Sequence, residues 1–504
     1  MRQDRSATRP RWLHLLDIPA MLLLLTFAVL LRWNWEYRSA FVDEASTLFN
    51  GWLLLRGETI HTMAYQPTWP YLSMLPAGLV DAWGGLTAAR ALSTFWGVLS
   101  VLLVTLTARS AFGTAAGILA GGILAVYAPA IHLSTFVSYD SLALFLLCLA
   151  LYLWTFATLH RRTWLLPPGS LAMVGAVLAN YALLTIAAGS LVYLTLAVLI
   201  SDARHGSTQD GMWPHPLSWG WLVSLWLPFL LLVVYGWHYR AELSQLWQSH
   251  VLSSRLPQPL ITWEFFKQLR DYLWAPFLAA LLAFDRPGRR WFSGWLWLLA
   301  FILIAHQWYG QDAARLVPQT VYILVALAIL AGGGLATLTR GWETKAARRT
   351  AVAVALALSM ALVSYLGLEG QKVLPGLRSY WPDTTSLMAF LRTRVNDGDI
   401  ILMEQGAIGR YYLIAHGTPG HIPAQIWDTW YYQDETGSGA DATLYERAIA
   451  QQRFDYIIFD YSVTGALDRA LLPVLRRGYR LIATFPTKTG SSEPIEVYER
   501  MEHP

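Results

Sequence analysis

Long apolar runs alternate with short polar loops from the N-terminus to about Leu368, and residues 371–504 contain no run of comparable length. A membrane-spanning helix needs about 20 mostly apolar residues, and about 17 are tolerated. The pattern predicts eleven spans, at 16–32, 88–108, 114–131, 140–159, 164–181, 183–201, 217–236, 269–284, 291–308, 316–338 and 350–368. We therefore expect a polytopic α-helical membrane protein.

The tail has a different pattern. Its strand candidates begin at Asp399, Asp455, Arg480 and Ile495, and the first two are short continuous apolar runs typical of parallel strands covered on both faces. A helix is predicted before the first strand at 384–395, and two more are predicted between strands at 443–452 and 465–476. We expect two domains: a transmembrane domain at 1–368 and an α/β accessory domain at 371–504.

Composition supports the membrane assignment. Of the 504 residues, 55% are hydrophobic and 14% are charged, whereas soluble proteins carry about 25% charged residues. A soluble enzyme is excluded, and a formal net charge of +4 is too small to indicate a nucleic-acid partner. The single cysteine, Cys148, excludes an intramolecular disulfide and is expected to be buried.

Basic residues predict the orientation, because cytoplasmic loops are enriched in Lys and Arg. Arg2, Arg5, Arg9 and Arg11 precede the first span, and every second loop after it also carries arginine. The N-terminus is therefore expected in the cytoplasm. An odd number of spans then places the C-terminal domain outside the cytoplasm.

Two loops on the predicted outer side, 33–87 and 237–268, are longer than a helical hairpin needs, and long loops in compact architectures are usually functional. Within the first loop, 45–55 and 71–83 are predicted to be helices on the membrane surface.

An acid pair, Asp43 and Glu44, opens the first of these helices. The acids could simply cap the helix, because both suit its positive N-terminal end. Alternatively, one of them is a general base at the lipid–water boundary, where partial desolvation raises carboxylate basicity. Adjacent helical positions point about 100° apart, so the two acids cannot serve one substrate atom equally.

Further polar residues lie at the outer ends of the predicted spans. Asp140 opens the fourth span and could be its N-cap, while Arg90 at the start of the second could reach the interface. His250 and Arg255 lie in the second long loop, and Arg315 precedes the tenth span. A cation near the outer headgroups suits a lipid phosphate.

The sequence contains no metal-binding motif and no dinucleotide-binding fingerprint. Asp43, Glu44 and Asp140 could supply oxygen ligands to a divalent cation, although their spacing does not require one. No cofactor is therefore assigned.

The order of these features resembles the GT-C superfamily of glycosyltransferases, and within it the protein O-mannosyltransferase-like branch (family 39). That branch includes aminoarabinose transferase-like and RgtA/B/C/D-like domain proteins. The resemblance is carried by 42–45, by Arg90 and Asp140, by His250 with Arg255, and by 315–318.

The resemblance implies an inverting transferase that uses a polyprenyl-phosphate-linked sugar and acts on a lipid, glycan or protein acceptor. Asp43 would be the base, assisted by Glu44 and Asp140. Arg315, Arg255, His250 and Arg90 would bind the donor phosphate. The chain departs from the aminoarabinose transferases at 64–70, which lack an acid or lysine, and at Asn180, where a lysine is often seen.

Two other functions remain open. A transporter or flippase for lipids or lipid-linked sugars would place charged residues at mid-span and repeat a pattern in its two halves; the sequence shows neither feature. A structural envelope protein would need no site, which leaves the ordered cluster of outer polar residues unexplained.

Overall fold

The computed structural model of the chain describes residues 11–33, 39–58, 69–160, 162–203, 219–246, 263, 266–267, 273–285, 290–310, 313–339, 344–378, 381, 383–429, 431–435, 437–439, 441–462, 464–486 and 493–501. Two predicted site residues, His250 and Arg255, lie outside these ranges.

Each predicted span overlaps one or more helices in the part of the chain that the structure describes. The helices of this part are α1 (Arg11–Arg32), α2 (Val42–Leu55), α3 (Pro70–Phe112), α4 (Thr114–Val126), α5 (Ala128–Thr135), α6 (Tyr139–His160), α7 (Leu166–Ala179), α8 (Leu184–Ala203), α9 (Trp219–Trp226), α10 (Leu230–His238), α11 (Arg240–Leu246), α12 (Trp274–Leu281), α13 (Arg290–Gly310), α14 (Ala313–Thr337) and α15 (Lys345–Arg378). In the described residues, five helices are long and apolar enough to cross a membrane, and a bent pair could form a sixth span. The chain is a multi-pass membrane protein, and the number eleven stays a prediction.

The second predicted surface helix and the second span form one helix, α3. Pro70 stands in its first turn, where a missing N–H costs nothing. The helix bends at Gly85, whose φ of 68° and ψ of −170° are not helical, a conformation that glycine adopts without a Cβ penalty. The structure therefore replaces the expected loop between the two segments with a kink.

One span is broken between α4 and α5, which meet at an angle of 64°. Pro129 has no N–H to donate to the carbonyl of Ala125, four residues earlier. The buried guanidinium of Arg32, at the end of α1, donates instead to the carbonyl oxygens of Ala125 (3.1 Å) and Leu124 (3.4 Å). Arg32 thereby stabilises the break, because buried carbonyls need partners.

Small residues allow close helix packing. A Cβ on Gly51 of α2 would lie 2.4 Å from the Met74 carbonyl oxygen and 2.8 Å from the Gly78 Cα of α3. A Cβ on Gly332 of α14 would lie 2.4 Å from the Ala116 carbonyl oxygen. Cys148 is buried, as expected.

The C-terminal region, defined here as the described residues from 383 to 501, is built on a mixed sheet. Its strands are β1 (Ile400–Met403), β2 (Gln425–Asp428), β3 (Tyr432–Asp434), β4 (Gly437–Gly439), β5 (Tyr456–Phe459), β6 (Tyr479–Phe485) and β7 (Ile495–Arg500). The five-stranded sheet has the order β2-β1-β5-β7-β6, and β3 pairs with β4. Strand β1 is parallel to both β2 and β5, while β7 is antiparallel to β5 and β6.

The four strands predicted in the tail are confirmed, and β2, β3 and β4 are not among the predicted strands. The helices are α16 (Thr385–Leu391), α17 (Gly406–Gly409), α18 (Ala442–Ala450) and α19 (Gly465–Gly478), and a π-helical turn at Arg410–Ala415 follows α17. Helix α15 continues past the predicted domain boundary to Arg378, so the boundary at 368–371 stays a prediction.

The C-terminal region packs directly onto the helices that carry the acid pair. One buried apolar cluster contains Ala45 and Leu48 of α2, Ala77 of α3, and Ile408 and Val497 of the C-terminal region. A second cluster covers the opposite face of the sheet. The start of α2 is therefore enclosed between the helix bundle and the sheet.

Candidate active site

The two acids at the start of α2 have opposite environments. Phe41 is the N-cap of this helix and its own side chain makes no cap hydrogen bond, but its backbone N–H donates to the Glu44 carboxylate. Asp43 is exposed, whereas the side chain of Glu44 is fully buried. Neither acid is the N-cap residue, although both lie in the first turn, where the helix dipole favours negative charge.

Glu44 is the centre of a buried network that joins three segments of the chain. Its carboxylate forms a two-pronged ion pair with Arg90 of α3, at 2.9 Å to Nε and 2.7 Å to Nη2. The carboxylate also accepts the backbone N–H groups of Val137 (3.0 Å) and Phe41 (3.2 Å). Arg90 in turn donates to the carbonyl oxygen of Ser39 at 2.9 Å. These contacts fix the start of α2 against α3 and the segment that leads into α6.

Asp140 stands at the start of α6 and is 8% exposed. Ser138 accepts the Asp140 N–H at 2.9 Å, so Ser138 and not Asp140 supplies the side-chain cap of this helix. The Asp140 Oδ1 accepts from the Asn180 amide (2.7 Å) and from the Tyr322 hydroxyl (2.8 Å). Asp140 is thus held in one orientation, three residues after the segment that contacts Glu44.

Arg315 lies in the first turns of α14, which also carries Tyr322. Seven residues correspond to about 10 Å along a helix and return to the same face. The backbone of Arg315 is therefore two turns from the tyrosine that binds Asp140, toward the N-terminal end of α14. The structure brings Asp43, Glu44, Arg90 and Asp140 to one end of the bundle and directs the start of α14 toward it.

A cavity of about 240 Å³ lies beside these residues, between α2, α3 and α6. Its walls are mainly apolar, with residues such as Leu92, Trp96 and Phe145, and Thr47 and Ser138 are also among the lining residues. Thr47 lies one helical turn after Asp43. The cavity is suited to an apolar chain whose polar end lies near the acids.

Among the residues that the structure describes, no group of three or more His, Cys, Asp or Glu side chains is arranged to hold a metal ion. Sequence reasoning did not assign Asn180 or Tyr322 to the site. A lone asparagine between two apolar runs was the one available indication for Asn180, because a buried amide needs a partner.

Comparisons with known proteins agree with this architecture. Residues 67–237 match the family described as dolichyl-phosphate-mannose-protein mannosyltransferase; the matched segment includes Arg90 and Asp140. No curated protein sequence matches the chain significantly.

Solved structures match over nearly the whole chain. ArnT from Cupriavidus metallidurans in the apo state is 15% identical, with a TM-score of 0.60 and 97% coverage of both chains. The same enzyme bound to undecaprenyl phosphate is 14% identical, with a TM-score of 0.55, and covers 97% of this chain and 98% of that one. The archaeal oligosaccharyltransferase AglB from Archaeoglobus fulgidus, in complex with an inhibitory peptide and a dolichol-phosphate, is 12% identical, with a TM-score of 0.56 and coverage of 93% and 73%.

At these identities the structural matches show the fold alone, and the family match covers about a third of the chain. The chain therefore has the fold of ArnT and of the oligosaccharyltransferase AglB, and its residues 67–237 are similar to the dolichyl-phosphate-mannose-protein mannosyltransferase family.

Proposed function

We propose that the chain is an inverting transferase that moves a sugar from a polyprenyl-phosphate carrier to a lipid, glycan or protein acceptor at the outer face of the membrane. The observation that carries this proposal is the difference in solvent exposure between Asp43 and the two other acids at this end of the bundle. Glu44 and Asp140 are buried, whereas Asp43 is exposed at the same end of the bundle.

Asp43 is the general base in this proposal. Its carboxylate accepts the proton of an acceptor hydroxyl or amine, and the acceptor atom then attacks the anomeric carbon of the sugar. The bond between that carbon and the phosphate oxygen breaks, and the phosphate leaves with the electron pair. A positioned general base contributes about 10²- to 10⁴-fold to the rate.

Cations near the leaving phosphate stabilise its developing charge, usually the largest catalytic contribution. Arg315 is our first candidate, followed by Arg255 and His250. Arg90 is a positioning residue here, because its guanidinium is 3% exposed and is bound to Glu44. Glu44 acts with it, and Asp140 orients the site or binds the sugar.

The apolar cavity between α2, α3 and α6 supports a substrate that carries a lipid chain. The outward orientation also belongs to this proposal: the N-terminus is cytoplasmic, and the C-terminal region lies outside. The transporter alternative is not favoured, because the family match and the structural matches are to glycosyltransferases.

The test uses purified full-length enzyme and a panel of polyprenyl-phosphate sugars, with the Asp43→Asn variant beside the wild type. Glu58→Gln is the matched control, because Glu58 is an exposed acid just beyond the other end of α2. We expect transfer from at least one donor, a loss of about 10²-fold or more in Asp43→Asn, and wild-type activity in the control. Full activity of Asp43→Asn would remove Asp43 from the role of base, and vectorial movement of a donor without transfer would favour transport.

A further inference from the structure

The three residues before α2 are held by the C-terminal region as well as by the helix bundle. The Ala40 N–H donates to the Tyr412 hydroxyl at 2.8 Å, and the Ser39 hydroxyl accepts the Thr384 N–H at 3.2 Å. Arg90 binds the Ser39 carbonyl from the other side. Ala40 is fully buried and Ser39 is 5% exposed, so these backbone and hydroxyl groups depend on protein partners.

Tyr412 is itself fixed in place. Arg392 donates to the carbonyl oxygens of Tyr412 (3.2 Å) and His416 (3.3 Å), and its guanidinium lies 5.7 Å from the centre of the Tyr412 ring. Burial raises the pKa of the Tyr412 hydroxyl above its usual value, so the phenol is neutral at physiological pH. A rigid, neutral hydroxyl is a suitable acceptor for a backbone N–H.

A second anchor lies beside the first. Asp81 of α3 is 4% exposed, and its carboxylate binds the Tyr411 hydroxyl and the His416 Nε2, both at 2.8 Å. Tyr411, Tyr412 and His416 belong to, or directly follow, the π-helical turn between β1 and β2. In open α/β sheets the crevice beyond the carboxyl ends of the strands commonly binds ligands. Here the connection that leaves the carboxyl end of β1 binds the membrane region.

Aromatic rings complete the contact. Phe41, two residues before Asp43, packs edge-on against Trp381 at 5.4 Å and against Phe136 at 5.7 Å. Trp381 lies in the connection between α15 and α16. The residues that lead into Asp43 are therefore enclosed by the bundle, this connection and the sheet.

We propose that the C-terminal region is part of the catalytic apparatus, with Tyr412 as a positioning residue that acts on Asp43 through Ala40. The proposal rests on the role of Asp43 given above. In it, the Tyr412 hydroxyl of the C-terminal region fixes the backbone from which the catalytic helix starts. A geometric error of about 1 Å can cost a reaction roughly 100-fold.

The test is the Tyr412→Phe variant of the full-length enzyme, which keeps the ring and removes the acceptor of the Ala40 N–H. Tyr479→Phe is the matched control, because Tyr479 is a buried tyrosine of the same region whose hydroxyl binds the Phe454 backbone. That tyrosine belongs to the apolar cluster on the opposite side of the sheet. Activity is normalised to the folded fraction, and kcat and the donor KM are measured separately.

We expect Tyr412→Phe to lower kcat by about tenfold, with the donor KM unchanged and with wild-type kcat in the control. In the Asp43→Asn background, Tyr412→Phe should cause no further loss, because a positioning residue has no effect once its target is gone. Unchanged kcat in Tyr412→Phe, or an equal further loss in the Asp43→Asn background, would overturn the inference. Neither outcome affects the assignment of Asp43, which depends on Asp43→Asn alone.

Discussion

The Glu44–Arg90 pair offers a direct test of how the site is built. The perturbation is Glu44→Ala, compared with Asp43→Ala at the preceding position. Glu44 makes four polar contacts of 2.7–3.2 Å and is fully buried. Asp43 is exposed in the same helical turn.

The expected magnitude follows from what each substitution leaves behind. Removing one partner of a buried ion pair costs about 3–5 kcal/mol, because the remaining charge is buried without compensation. In Glu44→Ala that remaining charge is Arg90, which is 3% exposed, and two backbone N–H groups also lose their acceptor. A substitution at an exposed position such as Asp43 usually changes stability by about 0.5 kcal/mol or less.

Thermal unfolding followed by intrinsic fluorescence suits this chain, which contains 25 tryptophans. We expect a clear drop in apparent melting temperature for Glu44→Ala and for Arg90→Ala, and little change for Asp43→Ala. The double variant Glu44→Ala/Arg90→Ala should lose less than the sum of the single losses, since the two residues interact. Equal melting temperatures for Glu44→Ala and Asp43→Ala, or strict additivity in the double variant, would refute the reasoning.

Three further predictions follow from other contacts. Tyr322→Phe removes the hydroxyl that donates to the Asp140 Oδ1, and it should lower kcat less than Asp140→Ala does. An activity assay on both variants checks this order. A larger loss of kcat in Tyr322→Phe would contradict it. Gly51→Ala places a methyl group 2.4 Å from the Met74 carbonyl oxygen, so it should lower both the melting temperature and the activity. Gly57→Ala is the comparison, because Gly57 has a positive φ but no atom close to where the methyl group would lie. It should retain more activity than Gly51→Ala, as measured in the same assay. Burial, with Glu404 nearby, raises the pKa of Asp468 above its usual 3.8, so the folded protein keeps a proton that the unfolded chain loses above about pH 4. The free energy of unfolding of the C-terminal region should therefore fall as pH rises above about 4, by up to about 1.4 kcal/mol per pH unit. Asp468→Asn should reduce this dependence, to which Asp460 also contributes because burial raises its pKa too, as measured by hydrogen exchange of the sheet strands corrected for its intrinsic pH dependence; an unchanged slope would contradict the contribution of Asp468.

The periodicity of the chain was sufficient to predict its helices and most of its sheet. Apolar runs of about 20 residues have few alternatives to helix in a membrane, and each predicted span overlaps one or more helices of the described residues. The short runs at β1 and β5 were predicted to be parallel strands for the same kind of reason, because they are apolar without alternation. The residues of β2 form no such apolar run, so the sequence pattern does not predict this strand, which pairs with β1.

The sequence also identified the important pair of acids at the start of α2 but left their roles open. Asp43 and Glu44 are adjacent and chemically alike, and local sequence contains no information about which of the two side chains is buried. Arg90, 46 positions after Glu44, and Val137 further along, decide that Glu44 is buried.

Local pattern, therefore, determined the secondary structure, the membrane character and the region of the site. Tertiary structure alone decided which acid is exposed, which residues orient Asp140, and that the C-terminal region contacts the residues before α2. The physical reason is that helix formation in a membrane depends on neighbours a few residues apart. Burial of a charge depends on partners that are distant in the sequence and become adjacent only when the chain folds.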